Sequence, residues 1–368
     1  MIKEIGYRLF SIFYKIFTVF PQDPESVFLI ATHDKSAEGN IGIVANKLAR
    51  EMPEYKCTWL TRDNSYKNPI DYFLKKPYKL ARSKYIFLDN AFLPLSYFKV
   101  RRGTKVVQLW HGTGAIKKFG QDYNTGKLGE LERRANENIT HLIVDSESVA
   151  VEYAGAFGVD DDKVMRIGLP RTDYVLDKDI MNKLKAQFYE AYGELRQRKI
   201  VLYAPTFRDS EVDNPKINMD LQRISDLLGE EGVLLLRLHP FVAKNMPDEV
   251  KDNLPDNVYD MSLYPSVTGL LSVADILITD YSSIIYEYVL LERPIIFYAY
   301  DLEEFSSNGR SFYRDYETFV PGPIARNQDE LEDNLKVCDN SKSKEFVQRE
   351  IEHLDGKSTD RLFDLIFS

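Results

Sequence analysis

Cysteine is scarce in this chain, which has two among its 368 residues, Cys57 and Cys338. Their wide separation excludes a disulfide framework and the paired spacing of a zinc site, so we expect a protein of the reducing cytoplasm. An excess of positive charge is also lacking, since the formal net charge is −9. That balance argues against nucleic acid as a main partner.

Several motifs that identify common enzyme classes are missing as well. The chain has no P-loop, no Gly-x-Ser-x-Gly nucleophile turn and no protein-kinase signature. No cluster of histidine, aspartate and glutamate has metal-ligand spacing, so the sequence requires no metal cofactor. What the chain does have is an alternation of strand-like and helix-like segments.

This alternation predicts the fold class. The strand-like runs lie at 27–31, 85–88, 105–109, 142–144, 164–167, 200–203, 233–238, 276–278 and 294–298. Strands that alternate with helices indicate parallel sheets with helices on both faces, and the length suits two domains. We predict two doubly wound, Rossmann-like α/β domains that face a cleft. Their expected bounds are 23–175 and 199–368, with a charged helical connector at 176–198.

Residues 2–20 have the pattern of a separate amphipathic helix, which we expect to form a unit of its own at 1–22. A narrow polar stripe runs along an otherwise apolar and aromatic surface, and it consists of Glu4, Arg8, Ser11, Lys15 and Thr18. The stretch is too short and too charged for a transmembrane span, and it lacks a signal-peptide cleavage site. The helix either lies in a membrane interface or packs on its own domain.

The segment from 66 to 105 is strongly basic within an acidic protein. It contains ten lysines and arginines against two aspartates, for a net charge of +8. Such a field attracts anionic lipid or polyphosphate, although a simple solvated face has the same composition. Together with the first helix, it favours contact with an anionic membrane surface.

Three short segments each follow a strand-like run. They are Gln-Leu-Trp-His-Gly-Thr-Gly at 108–114, Leu-Arg-Leu-His-Pro at 236–240 and Ile-Thr-Asp-Tyr-Ser-Ser at 278–283. In an open α/β sheet, the loops after the carboxyl ends of strands form the ligand crevice. Their histidines, glycines and hydroxyls together suit chemistry on a phosphorylated substrate.

His111 leads the first of these loops and is a natural general base, since histidine titrates near neutral pH. Gly112 and Gly114 allow a ligand to approach the backbone closely. They do not complete a Rossmann fingerprint, because the third glycine is missing. A structural histidine bonded to the backbone is the alternative interpretation.

The second half of the chain offers a phosphate site. Ser282 and Ser283 begin a helix, whose free N–H groups favour an anion, although a plain serine cap has the same pattern. Glu287, one turn further, either reaches a ribose hydroxyl or is solvated. His239 either donates to a phosphate oxygen or protonates a leaving group, unless it only caps the chain.

Thr206 and Arg208 also follow a strand-like run, and they offer a hydroxyl and a fork that grips phosphate. A surface ion pair is the alternative for Arg208. The other histidines, His33, His141 and His353, are expected to be structural, although the loop that contains His33 is able to face the cleft.

Taken in order, these segments resemble a known family. They are the three above, extended by Lys-Lys-Phe-Gly at 117–120, Gly-Leu-Pro-Arg at 168–171, Tyr-Ala-Pro-Thr-Phe-Arg at 203–208, Arg-Pro-Ile-Ile-Phe-Tyr at 293–298 and Arg-Ser-Phe-Tyr at 310–313. The set looks like the CDP-glycerol glycerophosphotransferases of teichoic-acid synthesis, of the TagB/TagF type. The resemblance runs from about 85 to 320, and the occurrence of these segments in order makes it specific.

The resemblance implies a GT-B fold and a monotopic protein on the cytoplasmic face of the membrane. It implies transfer of glycerol phosphate from CDP-glycerol to an undecaprenyl-diphosphate-linked acceptor, with release of CMP. The family's catalytic histidines correspond to His111 and His239. The expected substrate-binding residues are Gly112, Thr113, Thr206, Arg208, Asp280, Ser282, Ser283, Glu287 and Arg310. No cofactor is required, although Mg²⁺ can accompany the donor diphosphate.

Several alternatives stay open at this point. The chain length favours a primase or short-chain extender over a polymerase of a wall or capsule polymer, and glycerol is not distinguished from ribitol phosphate. A GT-B glycosyltransferase or nucleotide-sugar epimerase shares the expected fold. A non-catalytic membrane or polymer-binding module is a further alternative, disfavoured by the presence of His111, His239 and the serine pair.

Overall fold

The computed structural model describes residues 2–65, 68–208, 216–247, 249, 252–308 and 311–368. The chain divides into two units, one formed by Met1–Tyr174 with Glu352–Ser368 and the other by Val175–Ile351. Each unit contains a parallel sheet with six strands in the described residues. The predicted α/β class, with two parallel-sheet domains, is confirmed.

The strands of the first unit are β1 Asp23–Ala31, β2 Lys56–Thr61, β3 Ser83–Leu88, β4 Lys105–Gln108, β5 His141–Val144 and β6 Val164–Arg166, in the order β2-β1-β3-β4-β5-β6. Those of the second are β7 Lys199–Tyr203, β8 Gly232–Leu236, β9 Val258–Asp260, β10 Ile276–Thr279, β11 Ile295–Tyr298 and β12 Ile324–Ala325, in the order β12-β11-β10-β7-β8-β9. All neighbouring strands pair in parallel. In each sheet the first strand along the chain lies in the interior, so the order reverses there, as in doubly wound folds.

The helices of the first unit are α1 Ile2–Phe17, α2 Asn40–Glu51, α3 Arg62–Ser65, α4 Lys76–Arg82 (preceded by a π-helical turn at Asp71–Lys75), α5 Gly126–Asn136, α6 Glu147–Phe157 and, across the division, α7 Pro170–Leu176. The second unit contains α8 Lys178–Ala191, α9 Leu221–Leu228, α10 Pro240–Asn245, α11 Val267–Val273, α12 Ile284–Tyr288, α13 Leu302–Asn308, α14 Tyr316–Phe319, α15 Gln328–Val337 and α16 Ser343–Glu350. The final helix, α17 Ser358–Phe367, belongs to the first unit.

The last helix corrects the predicted division, which assigned everything after 199 to the second domain. Leu362, Phe363 and Ile366 of α17 are buried in the core on one face of the first sheet, together with apolar residues of β1 and β3. The carboxylate of Asp173 accepts backbone N–H bonds from Ser358 and Thr359 at the start of this helix. The end of the chain thus returns to the first unit, because the apolar face of α17 packs against the first sheet.

The amphipathic helix α1 packs on the first unit with one side. Phe10 and Tyr14 are buried on the other face of the same sheet, where the ring of Tyr14 stacks on Phe98 at 3.9 Å. Ile12 and Ile16 remain 53% exposed. The expected separate unit at 1–22 is therefore corrected, since the helix is part of the first unit and yet keeps an apolar surface in solvent. Among the described residues, every helix is too short or too polar to cross a bilayer.

A buried ion-pair cluster ties together the loops after three strands of the second sheet. Arg208, which follows β7, donates to both carboxylate oxygens of Asp301 at 2.6 and 2.9 Å and lies 2.9 Å from the carboxylate of Asp280. It also donates to the carbonyl of Thr206 at 2.6 Å. Asp280 follows β10 directly, and Asp301 follows β11. The cluster thereby fixes the carboxyl edge of this sheet.

Replacing Arg208 with alanine should strongly destabilise the protein. The carboxylate of Asp280 is 1% exposed, and removing one partner from such a buried pair costs roughly 3–5 kcal/mol of unfolding free energy. The urea midpoint of the full chain, followed by circular dichroism, measures the loss. Arg223→Ala is the matched control, because Arg223 pairs with Asp329 at the surface and should shift the midpoint little. Equal shifts in the two variants would contradict the prediction.

Candidate active site

The loop after β1 is held by a buried aspartate that directly follows β3. The carboxylate of Asp89 accepts the backbone N–H groups of Thr32, His33 and Asp34 at 2.9, 3.1 and 2.8 Å. Burial raises the pKa of Asp89 to about 6, while these hydrogen bonds act in the opposite direction. The two loops are therefore locked to each other at the carboxyl edge of the first sheet.

His111 lies at the same edge, three residues past the end of β4. Its Nδ1 is 2.9 Å from the backbone carbonyl of Asp89. Because a carbonyl only accepts hydrogen bonds, Nδ1 must carry the proton, and in the neutral ring Nε2 then carries the lone pair. The backbone of the β3 loop thus sets His111 in the tautomer that a general base at Nε2 requires.

The backbone that presents His111 has an unusual conformation. Trp110 has a φ of 54°, a left-handed value that is costly for a bulky residue and that is often found at functional sites. The side chain of Gln108 accepts the N–H of Trp110 at 2.9 Å, and the indole stacks on Phe119. These contacts hold the reversed turn that redirects the chain after β4.

Two residues that the sequence analysis did not assign to the site complete the frame. Arg171 donates to the carbonyl of His111 at 2.9 Å and to the carboxylate of Asp34 at 2.6 Å. Asn40 is buried at the start of α2, and it donates to the carbonyl of Trp110 and accepts the N–H of Arg171. The available signal was the position of Arg171 in the Gly-Leu-Pro-Arg turn after β6, at the same sheet edge.

Gly112 and Thr113 lie inside the first unit. Both are buried, and the carbonyl of Gly112 accepts the hydroxyl of Tyr153 at 2.7 Å. These two residues therefore anchor the loop that carries His111, whereas the sequence predicted that a ligand approaches the backbone there.

In the second unit, His239 follows β8 and begins α10. Its Nδ1 accepts the backbone N–H of Phe241 at 3.2 Å, so His239 caps the start of α10. In this tautomer the neutral ring carries its proton on Nε2, where it is a hydrogen-bond donor. Partial burial lowers the pKa of His239, which favours the neutral ring at neutral pH. The ring also stacks on Phe207.

Thr206 and the serine pair lie at the same edge of the second sheet. The N–H of Thr206 binds the carboxylate of Asp280 at 2.8 Å, and its buried hydroxyl has no hydrogen-bond partner in the described part of the chain. Ser282 and Ser283 lie two and three residues after Asp280 and are partly exposed. Ser282 Oγ accepts the N–H of Ile284, so at least one serine is also a cap. A cleft brings Thr206 and His239 together with Lys216, Asn218 and Tyr300.

The remaining predicted residues have other surroundings. Arg208 is buried, and its donors are directed to two carboxylates and a carbonyl, which corrects the expected grip on phosphate. Asp280 positions the backbone of these loops and is itself buried. Glu287 is buried in α12 and not solvated. Arg310 lies outside the described residues. Among the described residues, no group of three or more His, Cys, Asp or Glu side chains is arranged to hold a metal ion.

The chain is similar to curated proteins of wall-polymer synthesis. A teichoic acid ribitol-phosphate primase of Bacillus spizizenii is 33% identical over 100% of this chain and 97% of its own length. A teichoic acid glycerol-phosphate primase of Bacillus subtilis is 34% identical over 82% of this chain and 77% of its own length. The chain spans 60% of the length of a related poly(ribitol-phosphate) polymerase of Bacillus spizizenii.

The fold and the family follow from two further comparisons. The structure of the wall teichoic acid polymerase TagF superposes with a TM-score of 0.82 at 22% identity, covering 100% of this chain and 95% of that chain, which confirms the GT-B type of fold. The sequence profile of the CDP-glycerol:poly(glycerophosphate) glycerophosphotransferases matches residues 12–368. With nearly the whole chain matched, the protein belongs to this family of glycerophosphotransferases.

Proposed function

We propose that the protein transfers glycerol phosphate from CDP-glycerol to a hydroxyl of an undecaprenyl-diphosphate-linked acceptor in teichoic-acid synthesis, releasing CMP. The observation that carries the proposal is the hydrogen bond from His111 Nδ1 to the carbonyl of Asp89. It sets up a base at Nε2 in a chain whose family transfers glycerol phosphate. For the product we propose a primase or short-chain extender; the chain spans 97% of a primase and 95% of the TagF polymerase chain, so the length of the product is decided by the experiment below.

The proposed chemistry is an in-line displacement at the phosphorus that bears the glycerol. The acceptor oxygen forms a new bond to that phosphorus, the bond to the bridging oxygen breaks, and that oxygen leaves with CMP. His111 Nε2 takes the proton of the attacking hydroxyl. Such reactions depend mostly on positioning and on electrostatic stabilisation of the transferred group.

The second unit supplies the donor site in this proposal. His239 offers Nε2–H to a phosphate oxygen, since its Nδ1 is occupied by the Phe241 N–H. Thr206, Ser282 and Ser283 add hydroxyls at the same sheet edge. Arg208 holds these loops in place through its bonds to Asp280 and Asp301. Any Mg²⁺ would arrive bound to the donor diphosphate.

Donor and product are tested together with a lipid-linked disaccharide acceptor. Labelled CDP-glycerol, CDP-ribitol and UDP-sugars are supplied separately, and the lipid products are resolved by length. Transfer from CDP-glycerol with one or a few added units supports the proposal. Transfer from CDP-ribitol alone would mean that the transferred polyol is ribitol and not glycerol. A long ladder of products would indicate a polymerase. Transfer only from a UDP-sugar would overturn the phosphotransferase assignment.

His111→Ala should reduce turnover by about 10²–10⁴-fold, the usual contribution of a general base. The KM for the donor should stay near its wild-type value, because this base acts on the acceptor. Steady-state kinetics with labelled donor measure both quantities. The control is His141→Ala, since His141 lies at the start of β5, at the opposite end of the strands. A His111→Ala enzyme that kept more than about a third of the wild-type rate would refute the base assignment.

The double variant Ser282→Ala/Ser283→Ala should weaken binding of CDP-glycerol and of CDP. Each hydroxyl hydrogen bond to a charged phosphate is worth roughly 1.5–3 kcal/mol at most. Isothermal titration calorimetry gives the two dissociation constants. Ser306→Ala/Ser307→Ala is the matched control, because these hydroxyls bond to carbonyls within α13. Unchanged affinity in the test variant would place the diphosphate elsewhere.

We further propose that α1 and its neighbourhood attach the protein to the cytoplasmic face of the membrane. On α1, Ile5, Ile12 and Ile16 are at least half exposed, and Ile70 beside the adjoining π-helical turn is 63% exposed. The π-helical turn and α4 pack against α1 and belong to the basic segment from 66 to 105. An apolar surface beside a basic one supplies the two signals that peripheral attachment needs.

The attachment is tested with Ile12→Gln/Ile16→Gln, which removes apolar surface and leaves the buried Phe10 and Tyr14 in place. Each substitution should remove about 1 kcal/mol of membrane-binding free energy, so the double variant should bind anionic liposomes roughly tenfold or more weakly. Co-sedimentation at low salt measures it, and high salt should release part of the wild-type protein. Val337→Gln is the control, since Val337 is 73% exposed in the second unit. Undiminished sedimentation of the double variant would locate the membrane contact elsewhere.

A further inference from the structure

His33 lies face to face with His111. The two imidazole rings are 3.6 Å apart between centroids and 12° from parallel. The sequence predicts a structural role for His33, because it lies in a polar loop after β1 with no flanking motif. The fold brings it onto the ring of the proposed base, 78 positions further along the chain.

The backbone around both histidines is fixed by the same residue. Asp89 accepts the ring N–H of His111 on its carbonyl and the backbone N–H of His33 on its carboxylate. Arg171 in turn links the carbonyl of His111 to the carboxylate of Asp34, the residue next to His33. The two rings are thus held against each other by loops that share their anchors.

The ring of His111 has a second aromatic neighbour. The indole of Trp110 lies 4.0 Å from it, at an angle of 33°. Centroids this close require contact through the ring faces, and one face of an imidazole cannot hold both neighbours. His111 is therefore clamped between Trp110 and His33, with Nδ1 bonded at one edge to Asp89.

We propose that His33 is a positioning residue for the base: its neutral ring holds the imidazole of His111 by face stacking, and the two rings titrate as one coupled pair. The inference rests on the proposed role of His111. A proton taken up by His111 during transfer would face the π surface of a neutral ring, which is attractive. A proton already on His33 would oppose that uptake, because like charges in contact repel.

The charged groups around this pair come from each loop that packs against it. Asp34 adjoins His33 and is paired with Arg171, while the carboxylate of Asp89 is bonded to three backbone N–H groups. The acids and the arginine are thus already engaged with one another or with the backbone. The two imidazoles, by contrast, contact each other directly, ring to ring.

The inference is tested with His33→Ala and His33→Phe, because phenylalanine keeps the stacked ring and removes the titration. His141→Phe is the matched control for an unrelated histidine of the same unit. The full-length protein, labelled with ¹³C and ¹⁵N in histidine, is titrated by NMR without substrate. In the wild type, the His33 and His111 signals should each show two shared inflections, whereas in His33→Phe the His111 signal should show one.

Kinetics supply the second readout. His33→Ala should lower kcat by about 10–100-fold, the effect of misplacing a catalytic group, with the donor KM nearly unchanged. His33→Phe should recover activity to within about threefold of the wild type, since a phenyl ring preserves the face contact. Thermal midpoints near that of the wild type show that each variant is folded, and His141→Phe should match the wild type in both readouts.

The outcomes separate this inference from the proposed function. A single-step titration of His111 in the wild type, or equal kcat in His33→Ala and the wild type, would overturn the inference. Equal loss in His33→Ala and His33→Phe would also overturn it, since stacking would then not be the cause. If the wild type transferred nothing from any CDP-polyol, the proposed function would fail, while the NMR titration would still decide whether the two rings are coupled.

Discussion

The carboxyl edges of both sheets depend on one repeated interaction, a buried aspartate placed directly after a strand. Asp89 follows β3, Asp145 follows β5 and Asp280 follows β10, and each accepts at least one backbone N–H from another loop. Burial raises the pKa of Asp89 to about 6 and that of Asp145 to about 7. Burying a carboxylate is unfavourable, and it is tolerated because the backbone donors, and for Asp280 also Arg208, compensate the charge. The result is that loops distant in sequence are bonded to one another at the carboxyl edge of each sheet.

Each unit presents a histidine at the carboxyl edge of its own sheet, and the two histidines differ in tautomer. In the first unit a carbonyl fixes the proton of His111 on Nδ1, and in the second a backbone N–H fixes the lone pair of His239 on Nδ1. In the neutral rings Nε2 is thus an acceptor in the first unit and a donor in the second. In the proposed reaction an acceptor takes the proton of the attacking hydroxyl, and a donor stabilises the charge that develops on the leaving phosphate.

The sequence predicted the fold well where the strands are buried on both faces. β1, β3, β7, β8 and β10 are near-continuous apolar runs, as parallel sheets require. It missed β2, whose alternation of polar and apolar residues marks an edge strand, and the very short β9 and β12. It also placed α17 in the wrong unit, because the apolar face of a helix does not reveal which sheet will cover it. The three aspartates were visible as an acid after each apolar run, in Leu-Asp-Asn, Val-Asp-Ser and Thr-Asp-Tyr, and only the last was selected.

Arg208 shows why the site was harder to predict than the fold. A guanidinium fork fits a phosphate and a carboxylate equally well, so an arginine after a strand does not indicate which one it binds. The partners of Arg208 are Asp280 and Asp301, 72 and 93 positions further along the chain, and pairing with them buries the guanidinium. In the proposed reaction the donor is then met by His239 Nε2–H, the hydroxyls and the backbone, with Lys216 in the same cleft. In that reaction Arg208 acts by keeping these donors in place, because preorganised donors stabilise a developing phosphate charge without reorganisation.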